Sequence, residues 1–594
     1  MELLVSVPCV IFEDAHLLAV NKPARMSTHA PGPYAGEGIY DWLRHREPRW
    51  ARLAIIHRLD KDTSGVLLFS KTELANRSLT EQFTRRTVKK SYLLLTDRQV
   101  RQREFTVTSA LIRAGEKYLV RPAHAGDQQA ETRFCITHRF ASGTGVQAQP
   151  VTGRTHQIRV HAAASDIPIL GDVLYGGSPH QRVCLHAQEL TLKHPATGDE
   201  MTLVAPVDFF ADARLALRSG LIDWQRTNAC RLINGGPDDW PGWYVDRLGD
   251  FLLSQSDRGL RDAQQEQLAK LLESFSARGA CHKVLTRDLR KTNLANAPQH
   301  VLGAGAPAEF IVRENGVQFA LSFSAGCSVG LFLDQRDNRR RFLTGHVAAG
   351  FPLRWDADLN PPPTPPQEGS KHSDARERFS SLLGSKPAKT PEQFPSWEGS
   401  AVGSSVPLAG MELLNTFAYT CGFSVCAAKA GARTTSLDLS RKYLEWGKRN
   451  FALNGLSAPD HAFVAGDVFD WLRRLARQQR QFELIALDPP TFSQSKKHGV
   501  FQAEKDFGEL VASALPLLKP QGVLFVSTNA ARLKPEKFVQ QITAAVHAAR
   551  RRILRQHYVP QPADFPITRE EPAYLKTIWL RVGQQEGRRS SLAR

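Results

Sequence analysis

The chain has 594 residues, too many for one hydrophobic core, because single cores stop growing at about 250–300 residues. Its hydrophobic fraction of 42% and charged fraction of 23% are typical of a globular protein, and no apolar run is long enough to span a membrane. The eight cysteines include no C-x-x-C pair, so we expect neither disulfides nor a structural zinc site, and the predicted compartment is the cytoplasm.

The net charge of +18 arises from 77 basic and 59 acidic residues. Such an excess favours a polyanionic partner, since each Lys or Arg that neutralises a phosphate releases counterions. A solvated basic surface is the alternative explanation of the same number. Basic clusters occur in both halves of the chain, which favours two contact surfaces over one tail. They are Arg85–Arg86, Lys89–Lys90, Arg339–Arg341, Lys496–Lys497 and Arg550–Arg552.

Residues 1–215 are rich in short apolar runs that Gly and Pro interrupt. The runs VLLFS, SYLLLT, ILGDVLYGG and MTLVAPV are typical of strands, so this region is predicted to form a mixed sheet with few long helices. Residues 216–330 follow as a small α/β module. In that module a Gly/Pro turn precedes strands, and helical periodicity covers Asp262–Phe275.

Residues 331–585 alternate strand-like and helix-like segments, which predicts βαβ units and a parallel, Rossmann-like sheet. Such a sheet binds its ligand at the carboxyl ends of its strands. Residues 355–405 interrupt the alternation with Pro, Ser, Gly and charged residues. This composition buries too little apolar surface to fold, so the segment is predicted to be a disordered insertion.

Three motifs in the first region carry reactive or basic side chains. HRLDKDTSG spans His57–Gly65 and places Asp60 on a loop between two predicted strands. KKSY begins a strand that carries Tyr92, and TGRTHQIRVH spans Thr152–His161. Each motif alone has a structural explanation: a surface ion pair, a core aromatic residue and a basic edge strand.

Taken together and in this order, the motifs resemble the RluA family of pseudouridine synthases. NKPARMSTHAP at Asn21–Pro31 and the later PILGDVLYGG extend the resemblance over residues 5–210, without the small N-terminal RNA-binding domain of many relatives. It implies an α+β fold with a mostly antiparallel sheet, a nucleophilic Asp60 and an Arg159 that pairs with it. Tyr92 would stack on the uracil. The resemblance implies that this domain needs neither a metal nor an organic cofactor. It also implies that Arg58, Arg154 and His156 contact the RNA.

The last region has a strand, a small-residue loop and a helix start in MELLNTFAYTCGFSV, residues 411–425. Such a loop lets the backbone approach a ligand. The next strand ends at Asp438, about 20 residues later, where a carboxylate can accept ribose hydroxyls. NAD-binding folds share this logic, but the GxGxxG motif is absent and the turn LDPPTF follows the fourth strand.

These features resemble S-adenosylmethionine-dependent methyltransferases, most closely the large-subunit rRNA enzymes of the RlmI and RlmK type. GLFLDQRDNRRR at 330–341 and DDWPGWYVDRLGD at 238–250 support the resemblance. It implies a cofactor site and a base-facing turn. The cofactor residues are Asn415, Phe417, Tyr419, Gly422, Asp438 and Asp467. The turn that faces the base is Asp488, Pro489 and Pro490, and the basic residues expected to contact RNA are Arg339, Arg340 and Lys496.

The sequence therefore predicts a fused enzyme that isomerises uridine in rRNA or tRNA and methylates a base of rRNA from S-adenosylmethionine. Guanine is the expected base, because the loops after the fourth and fifth strands contain no cysteine to attack cytosine. RNA is the predicted partner, with no membrane and no obligate protein partner. The alternatives are a non-catalytic RNA-binding or ribosome-assembly factor, and a methyltransferase that acts on cytosine carbon 5 or on a substrate other than RNA.

Overall fold

The computed structural model describes residues 7–122, 124, 129–285, 297–325, 328–355, 406–495 and 499–585. The predicted disordered insertion lies outside these residues except for its first position, and Lys496 lies outside them as well. In the described ranges, no helix is both long enough and apolar enough to cross a membrane.

The N-terminal region is built on one large sheet. Its strands are β1 (Val10–Glu13), β2 (Leu17–Lys22), β3 (Ala54–Ile55), β4 (Ser64–Ser70), β5 (Lys89–Thr96), β6 (Glu104–Ala114), β7 (Lys117–Arg121), β8 (Gln129–Phe140), β9 (Gly143–Pro150), β10 (Leu185–Lys193) and β11 (Glu200–Val204). The strand order is β1-β2-β4-β10-β5-β9-β8-β6-β7, with β3 beside β4 and β11 beside β10. Only the β4–β10 pair is parallel among the described strands, which confirms the predicted mixed, mostly antiparallel sheet.

Strand β4 is an interior strand of this sheet, between β2 and β10, and is buried along its whole length. Successive side chains of a strand point to opposite faces. Leu67 and Phe69 therefore pack into one apolar cluster, and Val66 and Leu68 into another. The loop that carries Asp60 enters this strand directly, so the most buried strand of the domain anchors one end of the loop.

Short helices cover the sheet, namely α1 (Ile39–Arg46), α2 (Glu73–Thr84) and α3 (Gln157–Ala164). TGRTHQIRVH thus leads into a helix and is not an edge strand. The strand predicted for ILGDVLYGG is wrong, because the segment is a loop with a 3-10 turn at Val173–Tyr175. Gly171 and Gly176 have φ of +83° and +87°, a backbone conformation that interrupts a strand.

After α4 (Ala213–Leu221), the central region forms a second sheet in chain order. Its elements are β12 (Ala229–Asn234), β13 (Trp243–Leu248), β14 (Phe251–Ser256), α5 (Asp262–Ser274), β15 (Gly279–Val284) and β16 (Gln299–Gly303), followed by the hairpin of β17 (Phe310–Glu314) and β18 (Val317–Leu321). The hairpin shares one apolar cluster with the C-terminal sheet, in which Phe319 and Phe525 are both buried. The central region is therefore packed tightly onto the domain that follows.

The C-terminal region contains α6 (Arg336–Thr344), β19 (His346–Ala348), β20 (Phe351–Pro352), β21 (Glu412–Thr416), α7 (Gly422–Lys429), β22 (Arg433–Asp438), α8 (Arg441–Leu453), β23 (Ala462–Ala465), α9 (Val468–Arg477), β24 (Phe482–Leu487), β25 (Phe492–Ser495), β26 (Gly499–Gln502), α10 (Ala503–Ala514), β27 (Leu518–Thr528), α11 (Pro535–Ala548), β28 (Arg551–Val559) and β29 (Lys576–Gln585). The main sheet has the order β23-β22-β21-β24-β27-β29-β28. Its first five strands are parallel, and β29 runs antiparallel to both neighbours. This confirms the predicted parallel, Rossmann-like sheet.

Candidate active sites

The loop between β3 and β4 holds Asp60 in a fixed position. The Thr28 hydroxyl donates to the carbonyl of Leu59 at 2.9 Å and accepts from the amide of the same residue at 3.2 Å. Gly65 follows with φ of +117°, and a Cβ there would lie 2.2 Å from the carbonyl oxygen of Ala187. Only glycine permits this close approach of β4 and β10, which explains the glycine at the end of the motif.

Asp60 faces a guanidinium. Its Oδ2 lies 3.6 Å from Nη1 of Arg159 and 3.9 Å from Nε2 of His156, and 28% of the Asp60 side chain is exposed. Burial lowers the pKa of Arg159, but the bonds and charge of Asp172, together with the charge of Asp60, outweigh it and raise the pKa overall. Arg159 therefore stays charged and presents a fixed cation to the Asp60 carboxylate.

A second carboxylate orients that guanidinium. Asp172 accepts hydrogen bonds from Nε and Nη2 of Arg159 at 2.7 and 2.8 Å, and both side chains are buried. Tyr175 lies under the guanidinium at 5.1 Å, and its hydroxyl is hydrogen-bonded to His156 at 2.8 Å. The sequence patterns alone assign no role to Asp172 or Tyr175. Both lie in PILGDVLYGG, so the aspartate within that motif was the available signal.

Tyr92 and Lys22 complete the surroundings of Asp60. Tyr92 lies on β5 between Ala148 of β9 and Ala187 of β10, and burial, with the charge of Asp60, raises its phenol pKa. The Lys22 amino group is buried and donates to three backbone carbonyls, one of them that of Lys61 next to Asp60. Burial lowers the pKa of Lys22 to about 7 although Asp62 and Asp60 oppose the shift. Lys22 thus ties β2 to the loop that carries Asp60.

The other basic residues of these motifs differ in their exposure to solvent. Arg58 and Arg154 are exposed on the two loops that carry Asp60 and His156. His57 is different, because it accepts from the amide of Leu68 at 3.1 Å and burial lowers its pKa to about 3. His57 is neutral and stacks on Phe83, so it has a structural role. The two exposed arginines are available to a polyanion.

In the C-terminal domain, the loop after β21 has an unusual backbone. Phe417, Tyr419 and Cys421 have φ of 53°, 49° and 63°, in the left-handed region that L residues rarely adopt. Asp438 at the end of β22 accepts from the amides of Tyr419 and Ser440, each at 2.8 Å. Strained backbone of this kind persists where the surroundings fix it, and it occurs often at ligand sites.

The floor of this loop is polar. The Asn415 side chain is fully buried and donates to the Ser424 hydroxyl at 2.9 Å, whereas its Oδ1 has no hydrogen-bond partner among the described residues. Asp467 caps the N-terminus of α9 and accepts from the amide of Asp470 at 3.2 Å. Gly422 leaves little space, since a Cβ there would lie 3.2 Å from Cδ of Arg339. A free buried acceptor and a carboxylate at the strand end fit an amino group and ribose hydroxyls, as S-adenosylmethionine requires.

The turn after β24 carries a carboxyl with neutral partners. Asp488 accepts from the Ser527 hydroxyl and from Nε2 of Gln335, the latter at 3.3 Å. Burial raises the pKa of Asp488 to about 6, the Ser527 bond opposes the shift, and the charge of Asp334 adds to it. In the same turn, Pro489 is buried and Pro490 is exposed. The sequence analysis gave Gln335 no role, although it lies in the quoted GLFLDQRDNRRR segment.

Two predicted RNA contacts are wrong. Arg339 is buried in a bidentate ion pair with Glu314, with both distances 2.7 Å. Arg340 is also buried, and it donates to the backbone carbonyls of Arg46 and His45 at the end of α1. Burial makes both guanidinium groups unavailable to RNA. The basic run on α6 therefore joins the domains and forms no outer surface.

Each of the two constellations lies in a region that matches a known protein family. The model of the RNA pseudouridylate synthase family matches residues 16–164, and that of the S-adenosylmethionine-dependent methyltransferases matches residues 404–581. The chain thus joins a domain of the first family to a domain of the second.

Among curated proteins, the ribosomal large subunit pseudouridine synthase C of Yersinia pestis is 40% identical over 213 residues, which are 34% of this chain and 66% of that protein. The corresponding protein of Escherichia coli strain K12 is 39% identical over 214 residues, again 34% and 66% of the two chains. This chain therefore spans slightly less than two thirds of the length of these relatives.

Solved structures that align with parts of this chain include the complex of SMU.776 with SAH, at 25% identity and a TM-score of 0.44. That alignment covers 60% of this chain and 76% of that chain. Human RNA pseudouridylate synthase domain containing 4 aligns at 26% identity and a TM-score of 0.29, with coverage of 35% and 92%. The assignment of both domains rests on the two family matches.

Proposed function

We propose that the protein is a bifunctional RNA-modifying enzyme of the cytoplasm, which isomerises uridine to pseudouridine and methylates guanine, both in large-subunit rRNA. The observation that carries the proposal is the contact of Asp60 with an Arg159 that Asp172 locks in place. A protein that only binds RNA has no use for a carboxylate that is oriented in this way and partly exposed to solvent. The relatives named for the large ribosomal subunit support rRNA as the substrate of the first domain.

In the synthase domain, the ionised Asp60 carboxylate attacks the target nucleotide as a nucleophile. The bond between the uracil nitrogen and the ribose breaks, the uracil turns, and a carbon–carbon bond forms between carbon 5 and the ribose. The bond to the Asp60 carboxylate breaks again, and the proton lost from carbon 5 is balanced by a proton gained on the freed ring nitrogen. Arg159 keeps the carboxylate charged and oriented throughout. Tyr92, which burial keeps protonated, stacks on the uracil. Because a stacked base cannot reach Asp60, the nucleotide is flipped out of the RNA, and the exposed Arg58 fills the vacated position.

In the methyltransferase domain, bound S-adenosylmethionine supplies an electrophilic methyl group. The free Oδ1 of Asn415 would accept from the amino group of the cofactor, and Asp438 would hold its ribose hydroxyls. Asp467 would bind the adenine amino group. Asp488 lies at the turn that faces the base, where its carboxylate stabilises the positive charge that develops on a ring nitrogen of guanine.

Guanine is favoured over cytosine because carbon 5 of cytosine needs a thiolate to activate it. The two cysteines that the structure describes in this domain, Cys421 and Cys426, are buried in the core. Burial raises the pKa of the Cys421 thiol to about 12, and it raises that of Cys426 as well. Neither thiol is suited to attack a base. Ring nitrogen 7 of guanine is itself nucleophilic and needs only orientation.

The test is to incubate the full chain with protein-free large-subunit rRNA and methyl-labelled cofactor, and to separate the nucleosides by mass spectrometry. We expect pseudouridine and labelled 7-methylguanosine. Transfer RNA and small-subunit rRNA serve as parallel substrates, and preferential modification of either would exclude the proposed target. Because Cys327 lies outside the described residues, Cys327→Ser is included. Labelled 5-methylcytidine that disappears in this variant would contradict the guanine assignment.

A further inference from the structure

Three side chains of metal-binding type meet where the synthase domain contacts the methyltransferase sheet. Glu37 precedes α1, His45 lies in its last turn, and His557 lies on β28. One ligand atom from each residue lies within 4.8 Å of the other two. Nδ1 of His45 is 2.8 Å from Oε1 of Glu37, and the rings of His45 and His557 are 4.4 Å apart. None of the three residues belongs to either proposed active site.

The cluster contains a donor atom that the protein leaves unsatisfied. Nε2 of His557 is buried and has no hydrogen-bond partner in the described part of the chain. Nε2 of His346, which interacts electrostatically with His45 and His557, is buried and unpartnered in the same way. A buried polar atom without a partner is costly, so two such imidazole nitrogens in this region indicate that something else binds there. A metal ion satisfies an imidazole lone pair directly.

We infer that Glu37, His45 and His557 bind one Zn²⁺ between the two domains. Imidazole nitrogen and carboxylate oxygen are ligands that zinc prefers, at about 2.0–2.2 Å, and three protein ligands leave the fourth tetrahedral position to water. The ligand atoms of the three residues lie at most 4.8 Å from one another, so small side-chain rotations would bring them to these metal–ligand distances. Glu37 also supplies a negative charge. This charge offsets the positive charges of the nearby Arg340 and Arg341, which would otherwise oppose a bound cation.

Two ligands come from the segment around α1 and the third from the far end of the chain. The ion would therefore fix the synthase domain to the methyltransferase sheet at a point where Tyr34 and Tyr558 also pack, with ring centres 4.9 Å apart. The absence of a C-x-x-C pair led the sequence analysis to expect no zinc. Ligands this far apart in sequence give no spacing signal, and only the folded chain brings them together.

The test uses the full-length chain without an affinity tag, stripped with EDTA and titrated with ZnCl₂ in a calorimeter. We expect one Zn²⁺ per chain with a dissociation constant in the micromolar range or below. His557→Gln and Glu37→Gln should each weaken binding at least tenfold. His138→Gln, an exposed histidine outside the cluster, is the matched control and should bind as the wild type does. Wild-type protein without a stoichiometric site, or variants that bind like the control, would overturn the proposal.

A second measurement holds even where a variant folds poorly. Co²⁺ in a tetrahedral site with nitrogen and oxygen ligands gives strong visible absorption bands, which we expect in the wild type and in His138→Gln but not in His557→Gln. Zn²⁺ should also raise the unfolding temperature of the wild type, because a ligand that binds only the native state stabilises it. A wild-type protein without these cobalt bands, and with no change in its unfolding temperature on zinc addition, contradicts the proposal.

Discussion

The two active-site regions place a carboxylate in opposite electrostatic surroundings. Asp60 in the synthase domain faces Arg159, which is itself paired with Asp172, so charges of alternating sign are in contact. Among the described residues, Asp488 in the methyltransferase domain accepts hydrogen bonds from the neutral donors Ser527 and Gln335, and burial raises its pKa to about 6. The first carboxylate is therefore oriented by a fixed cation, whereas the second, with a pKa raised to about 6, changes its protonation state just below neutral pH.

The difference matches the chemistry proposed for each domain. A nucleophile must be ionised and aimed, and a fixed guanidinium does both. A domain that transfers a methyl group to an intrinsically nucleophilic atom needs no nucleophile of its own, and it relies on a backbone shaped around the cofactor. Removal of the Asp60 charge should therefore abolish the activity of the first domain. Removal of a single carboxylate charge in the second domain should only reduce cofactor binding or methyl transfer.

The largest effect is expected for Asp60→Ala and Asp60→Asn. The amide has the shape of the carboxylate but is a poor nucleophile, so both variants should lose pseudouridine formation. We expect a loss on the order of 10⁴-fold or more, the scale seen when an enzyme loses its nucleophile. Methyl transfer, measured with labelled cofactor in the same preparations, should persist. An Asp60→Asn protein that makes pseudouridine at near the wild-type rate would exclude Asp60 as the nucleophile.

Asp172→Asn should give the next largest effect. The substitution leaves the buried Arg159 without its anionic partner, which typically destabilises a protein by about 3–5 kcal/mol. Because the guanidinium would then lose its fixed orientation toward Asp60, the rate of isomerisation should fall by about 10²-fold. RNA affinity should hardly change, since Asp172 is buried. Asp199→Asn, an exposed aspartate of the same domain, is the control. Equal losses in rate and RNA affinity would indicate general unfolding instead.

Asp438→Asn tests the cofactor site. The amide keeps an acceptor for the backbone of the loop but loses the charge, and one hydrogen bond to a charged group is worth about 1.5–3 kcal/mol. The dissociation constant for S-adenosylmethionine, measured by calorimetry, should therefore rise about 10- to 100-fold. Asp460→Asn, exposed on the same domain, should bind normally. Unchanged affinity in Asp438→Asn would remove this residue from the cofactor site.

The smallest effect concerns pH. A raised carboxyl pKa means that Asp488 is ionised above about pH 6 and becomes protonated as the pH falls through that value. Methyl transfer at saturating cofactor should decline over the same range. Ser527→Ala should move the decline to higher pH, because the Ser527 hydrogen bond lowers the Asp488 pKa. Asp488→Asn should abolish the pH dependence. A profile that Ser527→Ala leaves unmoved would show that another group titrates.

Much of this arrangement could be predicted from local sequence. Alternation of apolar runs predicted the parallel sheet of the last region, and the strand end at Asp438 follows from it. Compact motifs predicted Asp60, Tyr92 and Arg159, and the structure brings these three together.

Other features depend on contacts between distant segments. Asp172 lies in a segment that looked like a strand, and only its bond to Arg159 reveals its role. Arg339 and Arg340 looked like a basic surface, because a charged run on a helix is usually exposed. Their burial depends on Glu314 of the central hairpin and on the end of α1. The same applies to His557 and His45, which no spacing rule connects.

One measurement tests the central claim that two independent active sites on one chain act on RNA. The wild type, Asp60→Asn and Asp438→Asn are each incubated with protein-free large-subunit rRNA and labelled cofactor, and all modified nucleosides are quantified by mass spectrometry. The wild type should form both products, Asp60→Asn only the methylated base, and Asp438→Asn, at a cofactor concentration near the wild-type dissociation constant, pseudouridine with much reduced methylation. Loss of both products in either variant, or a wild type that forms neither, would contradict the account.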